Sequence, residues 1–420
     1  MSKILKQSYK DVEGLEYISP KIAMEEASRC LLCYDAPCSQ SCPAGTDPAK
    51  FIRSIRFRNV KGAAETIREN NPLGGICARV CPYDTLCEKA CSATKIEKPI
   101  RIGLLQQFAV QQEKAYGMKT LEVPSQKKNK KIACVGAGPA SLTVASELAR
   151  AGYEVTIFEK EAKAGGMLTY GIAPVRLPQD VIDYDIEQIK NLGVNFVFNK
   201  KVQKEDLEKF DAVFVGIGLW GENLPNIEGI NLQGSYSAVK FLKEFRKSNS
   251  YFVKDKNVVV IGGGDVAIDC AVTANVYGAK EVRIVYRRTL EEAPGQMREF
   301  VHAFERGISV TTNMAPVSVK GNGKVEYVEF EGFRNKADKL TVSADIVVFA
   351  TGQTSEAKEL GLISEENIDE KGLIKTNNSI VSGKYFAAGD VVHGAKTVVE
   401  AVKAGKEAAV VMIKYLEGKK

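Results

Sequence analysis

Eight of the chain's ten cysteines lie between Cys30 and Cys91, and their spacing is the first chemical signal in the sequence. It reads Cys30-x2-Cys33-x4-Cys38-x3-Cys42-Pro43, then Cys77-x3-Cys81-Pro82-x4-Cys87-x3-Cys91. Such density means either a disulfide framework or a metal-binding field. The N-terminus, Met1 to Gly14, is polar and lacks the apolar core of an export signal, so reduced thiols are expected. Zinc prefers paired Cys-x2-Cys or Cys/His sets, and the two histidines, His302 and His393, lie far away in sequence. Bunched cysteines closing in Cys-Pro are instead an iron–sulfur pattern, in which the fourth cysteine crosses to a neighbouring cluster. On that pattern Cys30, Cys33 and Cys38 hold one [4Fe–4S] cubane and Cys42 crosses to a second, with a reciprocal crossing ligand from the second half. Cys134 and Cys270 sit inside apolar runs and read as core residues.

A second chemistry is written in glycine. Between Lys131 and Lys160 a buried strand runs into Gly136-x-Gly138-x-x-Ser141, then a helix, then a strand ending at Glu159. Gly136 permits a tight turn and Gly138 lets a pyrophosphate approach the backbone. The helix N-terminus offers free N–H groups, and Glu159 can accept a ribose hydroxyl. Ser141 replaces the usual third Gly or Ala but is small enough for close helix–strand packing. Between Asn257 and Arg288 the pattern recurs as Gly262-x-Gly264-x-x-Ala267. Its second strand ends in Tyr286-Arg287-Arg288. A carboxylate there suits NAD, whereas a guanidinium suits the 2′-phosphate, so this site favours NADP.

Two dinucleotide folds in one chain suggest one bound flavin and one exchangeable nicotinamide nucleotide. The first fits the flavin. Gly165-Gly166-Met167-Leu168 gives another close backbone approach, and Asp390 lies at a strand end. A helix beginning near Thr397 can turn its positive N-terminus toward the flavin's pyrimidine end.

These motifs need elements to hold them. Residues 1–125 carry helix signals and no strand signals. Asp47-Pro48 reads as N-cap and first helical position ahead of Phe51, Ile52, Ile55 and Val60, and a second helix over 61–70 stops at Asn71-Pro72. Ser125 to Lys131, with four lysines, reads as a solvated linker. Beyond it, Val/Ile runs alternate with helical stretches, the pattern of parallel sheets with crossover helices. The expected fold is α/β: an N-terminal helical double-[4Fe–4S] domain (1–125) followed by two Rossmann-like domains. The FAD-binding domain spans 126–225 and 346–420, its return strand being Val348-Phe349, and the NAD(P)-binding domain (226–345) is inserted in it. With 45% hydrophobic and 26% charged residues, the composition excludes wholesale disorder. A dispersed net charge of +6 argues against nucleic acid, and apolar runs fall short of the ~18 residues of a membrane span. A cytoplasmic protein is expected.

The segment from Glu26 to Asn70, EASRCLLCYDAPCSQSCPAGTDPAKFIRSIRFRNVKGAAETIREN, and the turn GAGPAS at Gly136 to Ser141 carry a resemblance. The chain resembles the flavin/iron–sulfur electron-input module shared by dihydropyrimidine dehydrogenases, the glutamate synthase small subunit and related ferredoxin–NADP oxidoreductases. It is most similar to the small subunits of bacterial dihydropyrimidine dehydrogenases. The resemblance implies that Cys30, Cys33, Cys38 and Cys91 ligate one cluster. Cys42, Cys81 and Cys87 then ligate the other with Gln107, beside its neighbour Gln106, and Cys77 is left over. For FAD it implies Gly136, Gly138, Pro139, Ala140, Ser141, Glu159, Lys160, Gly166, Leu168, Arg176 and Asp390. For the nicotinamide nucleotide it implies Gly263, Gly264, Asp265, Val266, Arg287, Arg288 and Gly352. The bacterial enzymes are described as NAD-dependent, whereas Tyr286-Arg287-Arg288 is what NADP-using relatives show.

The function so implied is electron input. Hydride from NADPH or NADH would pass to FAD, and single electrons would pass through two clusters to a separate FMN and iron–sulfur subunit that reduces uracil or thymine. The sequence leaves no room for a further (β/α)₈ domain of about 250 residues. The rivals are a glutamate synthase small subunit, a ferredoxin–NADP oxidoreductase subunit, and a zinc-stabilised nucleotide-binding interaction protein. A thioredoxin-reductase chemistry is rejected because no Cys-x2-Cys follows Cys91.

Overall fold

The computed structural model describes residues 18–247 and 251–418. The N-terminal stretch read as lacking an export signal lies outside the described residues. The chain forms two compact units, one of Met1–Leu168, Leu177–Leu219 and Ser355–Lys420, the other of Thr169–Arg176 and Trp220–Thr354. Among the described residues no helix is long and apolar enough to cross a membrane.

The first unit begins with helices Pro20–Ser28, Pro48–Arg56, Val60–Asn70, Gly74–Val80 and Ile102–Ala115. Their starts follow the sequence. Asp47 Oδ1 accepts the Lys50 N–H at 3.0 Å with Pro48 at the first position, and Asn59 Oδ1 accepts the Gly62 N–H at 2.9 Å. Phe51, Ile52, Ile55, Ile67, Leu105 and Phe108 share one apolar core, so the helices are held by their buried faces. The same unit contains a six-stranded sheet in the order Ile380–Ser382, Tyr385–Ala387, Ala212–Val215, Lys131–Val135, Glu154–Phe158, Asn195–Val197. All its pairings are parallel except that of Ile380–Ser382 with Tyr385–Ala387. Its central strands are uninterrupted apolar runs, as burial on both faces requires. Gly405 lets the Val398–Leu416 helix close on the Pro139–Arg150 helix, because a Cβ there would stand 2.7 Å from Ala140 O.

The second unit holds a five-stranded parallel sheet in the order Ser235–Ser237, Ile346–Phe349, Asn257–Ile261, Glu281–Val285, Ser309–Thr311. An antiparallel three-stranded sheet, Met314–Lys320, Tyr327–Gly332 and Lys339–Ser343, completes it. Here the expected boundary shifts. Ile346–Phe349, assigned from the sequence to the return of the first domain, pairs with Asn257–Ile261 in register Ile346↔Val258. The crossing back falls after Thr354, beyond the ribbon Gly221–Glu222/Gln353–Thr354. The reason is that an inner parallel strand of either sheet is a continuous apolar run, so composition does not say which sheet takes it. The basic linker is also less free than expected: Lys128 donates its N–H to Gly152 O at 2.8 Å and its Nζ to Glu417 Oε1 at 2.8 Å.

Candidate functional site

The clustered thiols lie near one another. Cys30 stands close enough to Cys33 and Cys91, and Cys38 close enough to Cys30 and Cys91, for their charges to repel. Cys87 is likewise close to Cys42 and Cys38, and Cys77 to Cys42. Cys81 caps the helix Gly74–Val80, its N–H donating to Cys77 O at 3.1 Å. Leu32 adopts φ +53, a left-handed conformation that costs a non-glycine residue about 1–2 kcal/mol. The backbones at Leu32, Ser39 and Glu88 favour the charged forms of Cys30, Cys38 and Cys87, although the Ser39 and Glu88 N–H groups donate to Ala36 O at 3.0 Å and Tyr83 O at 2.8 Å. Backbone donors aimed at sulfur favour the thiolate. Burial nonetheless pushes Cys38 up to about 11 and Cys77 up to about 12, so a metal bound at Cys38 would displace a proton. Among the described residues no three His, Cys, Asp or Glu side chains gather tightly enough to hold a single metal ion. A cubane asks for a wider set, one thiolate to each iron, and neighbouring free thiols fit it.

The helix Ile102–Ala115 carries the candidate non-cysteine ligand. At its start Gly103 donates its N–H to Glu88 Oε1 at 3.0 Å, and a Cβ on Gly103 would come within 2.6 Å of the Tyr83 ring. Gln107 lies one turn further on the same face. It is buried, and its Nε2 has no hydrogen-bond partner. Gln106 is committed elsewhere, its Nε2 donating to Gly74 O at 2.7 Å. A buried amide without a partner carries a desolvation cost, and its two ends are interchangeable, so the site suits coordination through Gln107 oxygen.

Three residues that sequence reasoning missed join the cysteine helices to the nucleotide-binding sheet within this unit. Lys406, on the C-terminal helix, donates to Ala44 O at 2.7 Å and Asn70 O at 3.0 Å. Asp185, on the helix Gln179–Lys190, accepts the Ile76 N–H at 2.9 Å and pairs with Arg68. Arg68 is also held by Glu113, Nε to Oε2 at 2.9 Å and Nη2 to Oε2 at 2.8 Å. A signal existed: Asp185 interrupts the apolar stripe Ile182, Ile186, Ile189 at helical spacing, where a charge is buried with a partner or not at all.

At the first glycine turn, Gly136 has φ +89 and a Cβ there would stand 2.8 Å from Gly216 O. Gly138 is the N-cap of Pro139–Arg150, with nothing but Gly216 O, at 3.9 Å, near where its Cβ would be. Gly166 closes on it, φ +56, its would-be Cβ 3.0 Å from Gly138 Cα, while Gly165 donates its N–H to Ala137 O at 2.8 Å. Glu159 is buried, Oε2 accepting the Ala137 N–H at 2.8 Å and Oε1 the Glu161 N–H at 2.9 Å. Each oxygen keeps a lone pair for a ribose hydroxyl. Ser141 is fully buried, its hydroxyl 3.4 Å from Gly216 O. A Cβ on Gly389 would be 2.9 Å from Ala140 Cβ, which sets Asp390 beside this turn. Burial pushes Asp390 up to about 7, although its Oδ1 accepts the Lys396 N–H. The Thr397 helix opens with a capping box in which Glu400 supplies a carboxylate, offsetting part of its positive end. This bare glycine cradle, with an acid at the second strand's end, fits a dinucleotide. Three other expected residues have partners of their own. Lys160 pairs with Glu356 at 2.7 Å and Leu168 is core. Arg176 belongs to the second unit, 3.2 Å from both Asp269 Oδ2 and Glu299 Oε1.

The second turn repeats the plan within its own unit. Gly262 has φ +151, with a would-be Cβ 2.4 Å from Ala350 O, and one on Gly263 would strike the Tyr286 ring at 2.5 Å. Gly264 caps Asp265–Val276, and Val266 packs against the core. Asp265 accepts the Gln296 N–H at 2.8 Å and its Nε2 at 2.9 Å. Gly352 has φ +116, and its carbonyl accepts the Asn223 N–H at 3.2 Å. The Arg287 guanidinium lies 5.6 Å over the Phe333 ring, and Arg288 faces Glu292.

Comparison with known proteins separates the cysteine segment from the segment that holds both glycine turns. Residues 6–118 match the family described as dihydropyrimidine dehydrogenase domain II, 4Fe-4S cluster, and residues 130–405 match pyridine nucleotide-disulphide oxidoreductases. The NAD-dependent dihydropyrimidine dehydrogenase subunit PreT of Escherichia coli O157:H7 is 44% identical over 419 residues, 98% of each chain. The glutamate synthase [NADPH] small chain of E. coli K12 is 32% identical over 97% of this chain and 94% of its own. In fold, 69% of the chain superposes on 85% of Mycobacterium tuberculosis FprA in complex with NADPH, with TM-score 0.59 and 20% identity. The expected architecture, a cluster domain ahead of two Rossmann-like domains with the second inserted in the first, is thus present. The chain belongs to the family of NAD-dependent dihydropyrimidine dehydrogenase subunits, oxidoreductases that join a 4Fe-4S cluster domain to a pyridine nucleotide oxidoreductase domain.

Proposed function

We propose that the chain is the electron-input subunit of a cytoplasmic dihydropyrimidine dehydrogenase. It oxidises a reduced nicotinamide nucleotide and supplies electrons to a separate FMN and iron–sulfur subunit that reduces the 5,6 double bond of uracil or thymine. When bound, FAD converts a hydride into single electrons and two [4Fe–4S] clusters carry them. Cys30, Cys33, Cys38 and Cys91 would hold one cluster, and Cys42, Cys81, Cys87 and Gln107 the other. The Gly136–Ser141 turn, Gly166, Glu159 and Asp390 would hold FAD, and the Gly262–Val266 turn, with Gly352 and the Arg287–Arg288 pair, the nicotinamide nucleotide.

The observation that carries this reading is that the cysteine helices and the first glycine turn share one unit, bolted by Lys406 and Asp185. That clasp fixes the cysteine loops against the nucleotide-binding fold, as electron transfer between their cofactors needs. The greater likeness to the dihydropyrimidine dehydrogenase subunits favours them over a glutamate synthase role. The names of those relatives favour NADH as the donor. The test is anaerobic purification and titration of the visible spectrum with NADH and with NADPH. Bleaching of both flavin and cluster bands supports the reading, and no reduction by either nucleotide sinks it. Uracil reduction by the purified chain alone would overturn the separate catalytic subunit.

A further inference from the structure

Just past the strand Glu281–Val285 several donors converge on one carboxylate. Glu292 Oε2 accepts the Thr289 N–H at 3.0 Å, the Thr289 hydroxyl at 3.1 Å and Arg334 Nη2 at 2.8 Å. The Thr289 N–H bond comes first in holding the Glu292 carboxyl below the usual range, with help from the Thr289 hydroxyl and the charges of Arg334 and Arg288. The carboxylate is anchored to the nucleotide turn itself. The Tyr286 hydroxyl donates to Glu292 O at 3.2 Å, and the Tyr286 ring lies against Gly263. The other arginine of the strand end, Arg287, is turned onto Phe333.

A backbone N–H, a hydroxyl and the Arg334 guanidinium, with the charge of Arg288 nearby, gather at the end of the second Rossmann strand as a donor set for a phosphate monoester. In this chain an internal carboxylate fills that set. We propose that Glu292 is the specificity-determining residue that makes the nicotinamide site take a 2′-hydroxyl dinucleotide, NADH, over its 2′-phosphate counterpart. It occupies the donors the phosphate requires and opposes its charge of about −1.5 to −2. Rejection of this kind, by a like charge that already holds the donors, is how a site discriminates between ligands that share every other atom. Arg287 and Arg288, read alone, point to NADP; Glu292 reverses their meaning.

The inference rests on nicotinamide oxidation by this chain, and one experiment separates the two. The holoprotein and its Glu292→Gln variant are assayed for kcat/KM with NADH and NADPH, using ferricyanide as electron acceptor, and for calorimetric binding of 2′,5′-ADP against ADP. Glutamine keeps an oxygen for the Thr289 N–H and removes the charge. The NADPH/NADH ratio is expected to rise about tenfold or more through KM for NADPH, with 2′,5′-ADP binding tighter by a similar factor. Glu292→Ala, should the glutamine variant fold poorly, is expected to move both readouts the same way. A wild-type preference for NADPH, or a ratio unchanged in both variants, overturns the role of Glu292 alone. Failure of either nucleotide to reduce the wild type overturns the electron-input reading and this inference with it.

Discussion

Arg68 Nη1 lies 2.7 Å from Asp185 Oδ1, with both side chains fully buried. The pair joins a helix of the cysteine domain to a helix of the nucleotide-binding domain, and Glu113 adds a second carboxylate to the same guanidinium. Asp185 also accepts the Ile76 N–H one residue before Cys77, so the arrangement of the Gly74–Val80 helix depends on it. Surface ion pairs contribute little, but removing one member of a buried cluster leaves the remaining charges incompletely paired in a low dielectric, here Arg68 with Glu113 alone and the Ile76 N–H without its acceptor.

Asp185→Ala is therefore expected to destabilise the first unit by about 3–5 kcal/mol. A urea midpoint checks the stability, and the iron retained after gel filtration reports on the cysteine helices. An Arg68→Met/Asp185→Leu/Glu113→Leu set of changes is expected to recover most of that loss, since apolar side chains at all three positions of the buried cluster leave no charge behind. Equal loss in the single and triple variants would refute the account.

Lys406 acts on the other side of the cysteine field. Its two carbonyl partners, Ala44 and Asn70, flank the loops that carry Cys42 and precede Cys77. Lys406→Met keeps the aliphatic stem but leaves both carbonyls without a donor, an expected cost of about 1–3 kcal/mol. Lys406→Arg can restore one bond. Thermal unfolding should rank wild type above the arginine variant and the arginine variant above methionine, with iron content following the same order.

How much of this was legible beforehand depends on the range of the interaction. The helix starts at Asp47 and Asn59, the two glycine turns and Glu159 are local patterns, and they sit where spacing put them. The nearness of Cys91 to Cys30 and Cys38 spans a long stretch of chain, so spacing gives the first half of the cysteine field and only a family likeness proposes Cys91 beside it. Lys406 and Arg68 were invisible because their partners are distant in sequence, |i−j| 362 for Lys406 and Ala44 and 45 for Arg68 and Glu113. Glu292 was within reach, three residues after Thr289. It was passed over because a fingerprint that stops at Arg288 stops one turn short of the carboxylate.

Gly166 offers a test of the flavin cradle that leaves the fold in place. Alanine there must adopt φ +56 and bring its Cβ to 3.0 Å from Gly138 Cα. The left-handed conformation alone costs about 1 kcal/mol. The larger effect falls on the turn, since Gly138 must shift from where a pyrophosphate would meet the backbone. Gly166→Ala is expected to purify with less flavin per chain at nearly unchanged helix content. Full flavin occupancy in that variant would remove Gly166 from the site.

Asp390 gives the pH dependence a sign. Its ordinary value of 3.8 is raised to about 7, burial first, with Glu400 opposing ionisation and the Lys396 N–H favouring it. A carboxyl raised on folding binds its proton more tightly in the native state, so its contribution to stability is complete below about pH 4. That contribution then declines as pH rises through about 7, where the native group is forced to ionise. Asp390→Asn removes the titration while keeping the shape. In flavin-free protein the wild type should therefore lose stability relative to Asp390→Asn between pH 5 and pH 8, read as the difference of urea midpoints. A difference that stays constant across that range would mean that the carboxyl titrates normally and is more solvated than its place beside Ala140 implies.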